Sequence, residues 1–326
     1  MADDVIIIGL DERERWEAEC AVGGLPSQSW SYAWGLKASG FEPQLAVVTS
    51  GSSRMLLPFF ERSFMETTDI ATLPGLSGAS MAPASGAPLA LWSEFAGSQG
   101  WVAGYIQLAS GTALDSVPAR SRLVSRNSMF VFDLHDWDIY RSVSRKFRKQ
   151  HLYEGRRRGA VIVDDRARLT HRLKSLYPEF CRSMGVRQTF SSECVDRWIG
   201  DASAVALGAQ LGENIEAIHL GQMNGAHAEW HLAAMSDQGR SLGAWIVWNA
   251  MQRLRTLGVR TLNIGGGVRA DDGLQDYKSR FGAKEFPLMS VRQIYDPGRY
   301  AELMARTGTD TDDDWFPAYR RAHGAE

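Results

Sequence analysis

The sequence has few cysteines, and its three, Cys20, Cys181 and Cys194, lie far apart in a chain of 326 residues. Disulfide frameworks and zinc knuckles both require closely or regularly spaced cysteine pairs, which are missing here. We therefore expect three buried thiols without a chemical role. The chain also lacks a Gly-x-Ser-x-Gly elbow and a Ser-His-Asp order, so the sequence gives no support for a covalent hydrolase.

Excess charge of one sign and long apolar runs are also missing. Lys and Arg number 36 against 38 Asp and Glu, which gives a formal net charge of −2. A general DNA-binding protein carries a basic excess, so we expect no DNA partner. The first apolar run, residues 5–8, follows no basic segment and is too short for a signal peptide or a membrane span. We therefore expect a cytoplasmic protein without membrane insertion.

Length and periodicity indicate two related units in one α/β chain. In the first half, the pattern predicts helices at residues 11–22, 27–39 and 91–100 and a loop at 74–88. It predicts a hairpin of strands 44–49 and 55–61, and further strands at 105–109 and 129–134. The second half repeats the order helix, hairpin, helix, strand. Its predicted helices are at residues 169–184, 192–200, 241–257 and 273–281, its hairpin joins 215–223 to 226–235, and its further strands are at 260–264 and 287–295. The Asn224-Gly225 pair is the strongest local signal for the second hairpin.

Between the halves, the pattern predicts one strongly basic helix over residues 139–157. Glu154 is its single acidic residue, against seven Lys or Arg residues. Arg145, Arg148 and Lys149 flank the apolar seam of this helix and are candidates for binding phosphates of a nucleotide-linked substrate. A solvated helix face is the open alternative.

Several motifs resemble the Fem-type aminoacyltransferases of the GNAT acyltransferase superfamily. Residues 144–149 followed by 156–163 look like the link between the two GNAT domains of Fem-like proteins. The run from Gly265, Gly266 and Gly267 to Tyr277-Lys278 and Phe281-Gly282 is similar to the C-terminal signature of the family. Residues 25–34 resemble the start of the first domain.

The resemblance implies an α/β fold of two tandem GNAT-like domains, each a mixed antiparallel and parallel sheet flanked by helices. We place these domains at residues 1–138 and 139–326, the second beginning with the basic helix. The family transfers an acyl group to an amine. Fem members take it from aminoacyl-tRNA, and relatives with the same fold use acyl-CoA. No metal and no tightly bound cofactor is implied.

By the same resemblance, Lys278 matches the family lysine that steadies negative charge near the reacting carbonyl. Its place after a parallel strand suits that role, although a surface lysine is the alternative. Gly265, Gly266 and Gly267 let the backbone approach a ligand or turn sharply. Tyr277 and Trp34 are further candidate substrate contacts within the matched motifs.

Residues 238–244 occupy the place where an acyl-CoA GNAT carries its pyrophosphate loop. Arg240 and Gly243 fit the spacing, but Trp245 stands at a usually small position. The ring would then occupy the space of a pyrophosphate, which weighs against acyl-CoA. An N-cap formed by Ser241 is the alternative interpretation.

His227, Glu229 and His231 alternate along one predicted strand and therefore share a face. Neighbours on one face lie about 7 Å apart, which suits a polar cleft wall better than a metal site. Glu229 or His231 would hold or deprotonate the amine. Across the turn, we expect Gln222 to pair with His227 and Ile218 with His231.

The sequence thus predicts an enzyme that forms an amide by moving an aminoacyl group from aminoacyl-tRNA to an amine on a small molecule or peptide. Acyl-CoA is the second choice of donor. Two other classes stay open: a non-catalytic ligand-binding protein of the same fold, and an RNA-binding adaptor that uses only the basic helix.

Overall fold

The structure, a computed structural model, describes residues 3–266, 273–309 and 315–323. The first half contains β1 (Asp4–Gly9), α1 (Arg13–Ala21), α2 (Trp30–Lys37), β2 (Pro43–Ser50), β3 (Ser53–Phe64), β4 (Thr67–Thr72), β5 (Ser80–Ala82), α3 (Ala87–Ser98), β6 (Ala103–Gln107) and β7 (Ser121–Asp133). The second half contains α4 (Ile139–Ser142), α5 (Arg145–Phe147), α6 (Glu154–Arg157), β8 (Val161–Val163), α7 (Arg166–Met184), α8 (Ser192–Gly200), β9 (Ala204–Leu211), β10 (Asn214–Asn224), β11 (His227–Met235), α9 (Gly243–Thr256), β12 (Thr261–Asn263), α10 (Gly273–Arg280), β13 (Lys284–Ile294) and α11 (Pro297–Thr307).

These elements form two compact units that interleave along the chain. Unit 1 comprises Met1–Gly24, Glu42–Arg126 and Pro287–Glu326, and unit 2 comprises Leu25–Phe41 and Asn127–Phe286. The division at residue 138 stays a prediction about the two sequence halves and does not coincide with these units.

Unit 1 is built on the strand order β1-β2-β3-β4-β6-β13. Its strands are antiparallel except for the parallel pair β4 and β6. α3 packs on this sheet through the fully buried ring of Trp92, whose centroid lies 5.2 Å from that of Phe59 and 5.6 Å from that of Trp101. The core of this unit is thus an aromatic cluster beneath one amphipathic helix.

A buried charge network joins two strands of unit 1 to its C-terminal segment. The carboxylate of Asp69 is fully buried and accepts from Arg62 Nε at 2.7 Å and from Arg320 Nε at 2.7 Å. The hydroxyl of Tyr319 donates to the same carboxylate at 2.9 Å. Two guanidinium groups and a hydroxyl therefore compensate one buried negative charge.

Unit 2 is built on the strand order β7-β12-β11-β10-β9-β8, in which only β11 and β12 are parallel. α9 covers one face with buried residues that include Ile246, Ala250 and Leu254. α2 meets α8 at Gly35, where an added Cβ would lie 2.2 Å from the indole nitrogen of Trp198. The absence of a side chain at Gly35 lets these two helices approach closely.

The prediction of one basic helix over residues 139–157 is wrong. Val143 has an extended backbone, and the Ser144 hydroxyl accepts the Phe147 N–H as the cap of a new helix. The segment continues through a π-helical turn, Arg148–Leu152, into α6. Several elements had no prediction, among them β4, β8, β9 and α11. β4 is rich in Thr and contains the buried Asp69, β9 consists largely of Ala and Gly, and α11 follows the last predicted strand.

The buried network predicts a large effect of Asp69→Asn on stability. The amide keeps the shape but leaves two guanidinium groups without their counter-charge, so the free energy of unfolding should fall by about 3–5 kcal/mol in urea titrations. Glu302→Gln, which removes the carboxylate of the more exposed Arg299–Glu302 pair, should change it by less than about 1 kcal/mol. Equal effects of the two substitutions would contradict this assignment.

Candidate functional site

A cavity of about 730 Å³ lies in unit 2, where β11 and β12 separate. The parallel pairing joins only residues 227–229 to residues 261–263. Beyond this point the cavity wall contains His231, Leu232 and Ala233 of β11 and Ile264, which follows β12. The cavity therefore fills the gap that opens between two parallel strands.

A β-bulge shapes β11 at the same place. Gly221 pairs with Trp230, and the preceding Leu220 pairs with Leu232, so His231 is an extra residue. An added Cβ on Gly221 would lie 2.1 Å from the Glu229 carbonyl oxygen and 2.3 Å from a carbon of the Trp230 ring. Glycine at this position is therefore what lets the bulge close against β10.

The expected register of this hairpin is wrong. His227 pairs with Asn224 and Gln222 with Glu229, because the two central residues of the turn are Gly225 and Ala226. Gly225 adopts a φ of +54°, which glycine accepts without strain. This turn register alone would place Ile218 opposite Ala233, and the bulge shifts it by one more residue, so that Ile218 pairs with Ala234.

Trp230 and His231, which follow each other in β11, point to opposite faces of the sheet, as successive strand residues do. Trp230 lies on the face of α9, with its ring centroid 5.8 Å from that of His219. His231 lies on the face of α2 and α8, 4.4 Å from the Tyr32 ring and 5.8 Å from the Trp198 ring. His219 and Trp230 line the cavity from the α9 face, and His231 lines it at the edge of β11, whereas no described residue of α2 or α8 is in the wall.

Two of the three histidines of the wall, His219 and His231, are uncharged at neutral pH. Burial lowers the pKa of His219 to about 4 and that of His231 to about 3. Neither ring has a hydrogen-bond partner within the described part of the chain. Each imidazole therefore presents one N–H donor and one nitrogen acceptor without carrying charge.

Glu229 lies beside the cavity and outside its wall. Its carboxylate is buried and accepts a 2.6 Å hydrogen bond from the Ser27 hydroxyl. Ser27 belongs to a short 3₁₀ turn, Pro26–Gln28, that precedes α2. This contact assigns Glu229 to the attachment of that turn to β11, and of the two residues expected to contact the amine, only His231 lines the cavity.

Lys278 lines the cavity, and its ammonium is held by the chain end of β12. Lys278 Nζ donates to the carbonyl oxygens of Ile264 at 2.8 Å, Gly265 at 3.0 Å and Gly266 at 2.7 Å. The predicted closeness of Lys278 to the glycine run is therefore present, with the carbonyls of Gly265 and Gly266 as its partners. Tyr277 also lines the cavity, whereas Gly267 lies outside the described residues.

The start of α9 forms another side of the cavity. Arg240, Ser241 and Gly243 line it. Trp245 does not: its buried ring packs on Gly155, where an added Cβ would lie 2.1 Å from the indole. The expectation that Trp245 fills the space of a pyrophosphate is therefore wrong, because the helix turns that side chain toward the core.

The basic segment contributes fewer cations to the cavity than its sequence suggests. Arg148 Nη1 donates to the Ile139 carbonyl at 3.0 Å and to the Val143 carbonyl, so it holds the end of α4. Arg145 and Lys149 are exposed and lie outside the cavity wall, which Arg157 reaches. Arg157 there forms an ion pair with Glu154.

Trp34 is also outside the cavity wall. Its exposed ring stacks on Trp30 at 5.4 Å and lies under the Arg197 guanidinium at 4.1 Å. Sequence reasoning missed His219 and Trp230, since no motif marks them. The only local signal was Gly221, a glycine within a strand pattern, which is typical of a bulge.

Within the described residues, no group of three or more His, Cys, Asp or Glu side chains is arranged to hold a metal ion. In the same residues, no helix is both long and apolar enough to cross a membrane.

The lowered histidine pKa values predict a loss of stability in mild acid. An imidazole titrates near 6.5 in the unfolded chain but at about 4 for folded His219. Between these values the unfolded state binds more protons, so the stabilisation present above pH 6.5 is lost as pH falls toward 4. The slope should approach about 1.4 kcal/mol per pH unit for one such group.

His219→Leu should flatten this dependence in urea titrations between pH 7 and 5. His171→Gln, which changes an exposed histidine on α7, is the matched control and should leave the slope as in the wild type. An unchanged slope in His219→Leu would show that His219 does not resist protonation in the folded state.

Comparison with known proteins identifies the fold. No protein-family model and no curated protein matches the chain. Among solved structures, FemX is 12% identical, with a TM-score of 0.65 over 92% of this chain and 99% of FemX. L-PGS from Bacillus licheniformis is 11% identical, with a TM-score of 0.59 over 86% of this chain and 91% of L-PGS.

A C-terminal domain assigned to a lysylphosphatidylglycerol synthetase from Agrobacterium fabrum is 16% identical, with a TM-score of 0.59 over 87% of this chain and 92% of that domain. The predicted resemblance and the predicted α/β fold class are confirmed: the chain has the Fem-like fold, with mixed sheets flanked by helices, that FemX and the lysylphosphatidylglycerol synthetase structures share.

Proposed function

We propose that the chain is an N-acyltransferase that moves an aminoacyl group from aminoacyl-tRNA to an amine. One observation carries the proposal: a cavity of about 730 Å³, with Tyr277 and Lys278 in its wall, lies in unit 2 where β11 and β12 part. A donor can enter this cavity along α9 and the basic segment, and an acceptor at the edge of β11 where His231 lines the wall. The two substrates would then meet in the gap between the strands.

The donor assignment rests on the basic segment and on the fold. Gln150, His151 and Arg157 bring this segment to the cavity wall, and the exposed Arg145 and Lys149 lie earlier along it. Exposed cations bind the phosphates of an RNA, whereas the apolar interior suits an acyl group. The lysylphosphatidylglycerol synthetase structures are named for joining lysine to a lipid, which is also an aminoacyl transfer.

Two features of the gap suit an oxyanion. Past Glu229, the described pairing of β11 with β12 ends, so backbone N–H groups on that edge of β11 face the gap. The ammonium of Lys278 is fixed at the wall by three carbonyls and adds a positive charge there. Because this charge is held before the reaction, it stabilises a developing negative charge without reorganisation.

The amine would approach from the face of His231. The neutral imidazole can accept a hydrogen bond from a neutral amine, but its low pKa of about 3 makes it a weak base. We therefore assign His231 to orienting the amine. In the reaction, the amide C–N bond forms, the ester C–O bond breaks, and the ribose oxygen that leaves takes the proton that the amine loses.

Acyl-CoA is the second candidate donor, and one observation favours it. α9 begins at the cavity with Arg240, Ser241 and Gly243 in the wall, and Trp245 is turned away from it. The N-terminus of such a helix binds phosphate well. The two donors differ in where their phosphates lie: along the basic segment for tRNA, or at α9 for CoA.

Transfer assays with aminoacylated tRNA and with acetyl-CoA, each with a panel of amines, test the proposal. Lys278→Met should lower kcat/KM about 100-fold or more, since it removes the fixed charge at the gap. Lys174→Met, at an exposed lysine of α7, is the matched control and should keep wild-type activity. Thermal unfolding of both variants separates lost chemistry from lost fold.

Salt-dependent binding tests the donor. Arg145→Gln with Lys149→Gln should weaken tRNA binding and lower the slope of log K against log salt by about 1.5, because two phosphate contacts are lost. The control Arg13→Gln with Arg15→Gln removes two exposed charges from α1 and should change neither. If only acetyl-CoA supports acyl transfer, acyl-CoA replaces aminoacyl-tRNA as the proposed donor. If a donor binds but no donor gives a product, the proposal that the chain is an enzyme is contradicted.

A further inference from the structure

Three buried polar atoms on the α9 face of the cavity have no hydrogen-bond partner in the described part of the chain. They are Trp230 Nε1, His219 Nδ1 and His219 Nε2. The Trp230 side chain is only 8% exposed and that of His219 only 6%, and both line the cavity. A buried polar group without a partner costs about 1–3 kcal/mol, so native proteins rarely keep such groups unless a ligand or water satisfies them.

The side chains of His219 and Trp230 face apolar residues on one side and the start of α9 on the other. Ala233, Met235 and Val247 supply apolar wall. His219 Nε2 faces the start of α9, where an added Cβ on Gly243 would lie 3.9 Å from it. A 3₁₀ turn, Arg240–Leu242, leads directly into α9 at this place.

The charges available near the pair limit what the occupant can carry. Glu154 is the one carboxylate among the described residues of the wall, and it is paired with Arg157. A cationic side chain would therefore enter without a counter-charge. Arg240 is half exposed and paired with Asp237. An anionic side chain next to His219 and Trp230 would therefore lose its water and meet only uncharged groups there.

Hydrogen-bonding capacity defines the fitting chemistry. The indole of Trp230 only donates, and the neutral imidazole of His219 donates from one nitrogen and accepts at the other. A group that satisfies them must offer acceptor oxygen and one donor hydrogen. A hydroxyl and a carboxamide both do so without charge, whereas a methyl or thioether group leaves the donors unsatisfied.

We propose that His219 and Trp230 form a side-chain subsite that selects acyl groups ending in an uncharged hydroxyl or carboxamide over apolar, cationic and anionic ones. The inference rests on the proposed function, since the donor carries this acyl group into the cavity. It deepens that function by naming the acyl class. Of the other two wall histidines, His231 lies on the opposite face of the sheet and His151 on the basic segment, and neither takes part in this selection.

The experiment compares donors that differ only at the end of the acyl side chain. One RNA minihelix is charged with glutamine, glutamate, methionine or lysine, whose side chains are similar in length, and with the near-isosteric pair threonine and valine. The measured quantity is kcat/KM for transfer to one amine. We expect the glutaminyl or the threonyl donor to exceed its apolar partner by about 10-fold or more, and the glutamyl and lysyl donors to rank below glutaminyl.

Three variants assign that preference to the subsite. Trp230→Phe removes the indole N–H and keeps an aromatic ring, and His219→Leu removes both ring nitrogens. Each should bring the ratio of polar to apolar donors close to one. Trp248→Phe is the matched control: the indole nitrogen of Trp248 is also buried without a partner among the described residues, but Trp248 lies outside the cavity wall, so the ratio should stay as in the wild type.

The outcomes separate this inference from the proposed function. The subsite is overturned if transfer favours the apolar, lysyl or glutamyl donor. It is also overturned if Trp230→Phe and His219→Leu leave a polar preference intact. Either result leaves the proposed function in place. If acyl-CoA is the only donor that supports transfer, the tRNA donor is overturned. The same selection is then measured by comparing kcat/KM for 3-hydroxybutyryl-CoA and 3-methylbutyryl-CoA.

If no donor supports transfer, the proposed function fails. The subsite is then tested by measuring the binding of amino acid amides. Glutaminamide and threoninamide should then bind the wild-type protein more tightly than methioninamide and valinamide, as measured by calorimetry. Their preference should disappear in Trp230→Phe and persist in Trp248→Phe. Equal binding of polar and apolar amides overturns the inference.

Discussion

The parting of two parallel strands after three paired residues is the constraint on which the candidate site depends. β11 and β12 pair over residues 227–229 and 261–263, and then β11 bulges at His231 while β12 ends. The bulge exists because Gly221 leaves room for the Glu229 carbonyl and the Trp230 ring. Without that gap, β11 and β12 would stay paired and would leave no room for the cavity between them.

Several cations of the basic segment and the cavity wall are engaged by backbone carbonyls. Lys278 holds the carbonyls at the end of β12, Arg148 holds those at the end of α4, and Arg158 Nη1 donates to the Gln238 carbonyl at 2.7 Å. Charge-assisted hydrogen bonds of this kind fix irregular segments that strand pairing and helices leave unsatisfied. Lys278 both shapes the wall of the cavity and gives it a positive charge.

The polar groups of the interior are of two kinds. Asp69 and Glu229 have partners in the described residues and serve to attach segments to strands. His219, Trp230 and His231 line the cavity and have no such partner. Burial keeps both imidazoles neutral, so the cavity can offer hydrogen bonds without charge. The partnered groups stabilise the fold, and the groups without a partner that line the cavity can take a ligand as their partner.

The sequence could predict much of the fold, because periodicity and turn residues act over a few neighbours. The helix at 192–200, the Asn224-Gly225 hairpin and the order of elements in the second half follow from such local patterns, and the Fem-like resemblance adds the fold class. Lys278 and Tyr277 could be proposed for the site because a motif marks them, and both line the cavity.

Tertiary structure decided the rest. β9, half of which is Ala or Gly, lacks strong strand composition and forms because its neighbours pair with it. The apparent basic helix breaks where Ser144 caps a new turn, and Trp245 turns into Gly155 and away from the cavity. The bulge at His231 changes which residues face each other. The sequence thus determined the local elements and the motif residues, whereas packing between distant segments decided which side chains meet at the cavity, because that choice depends on shapes no short pattern encodes.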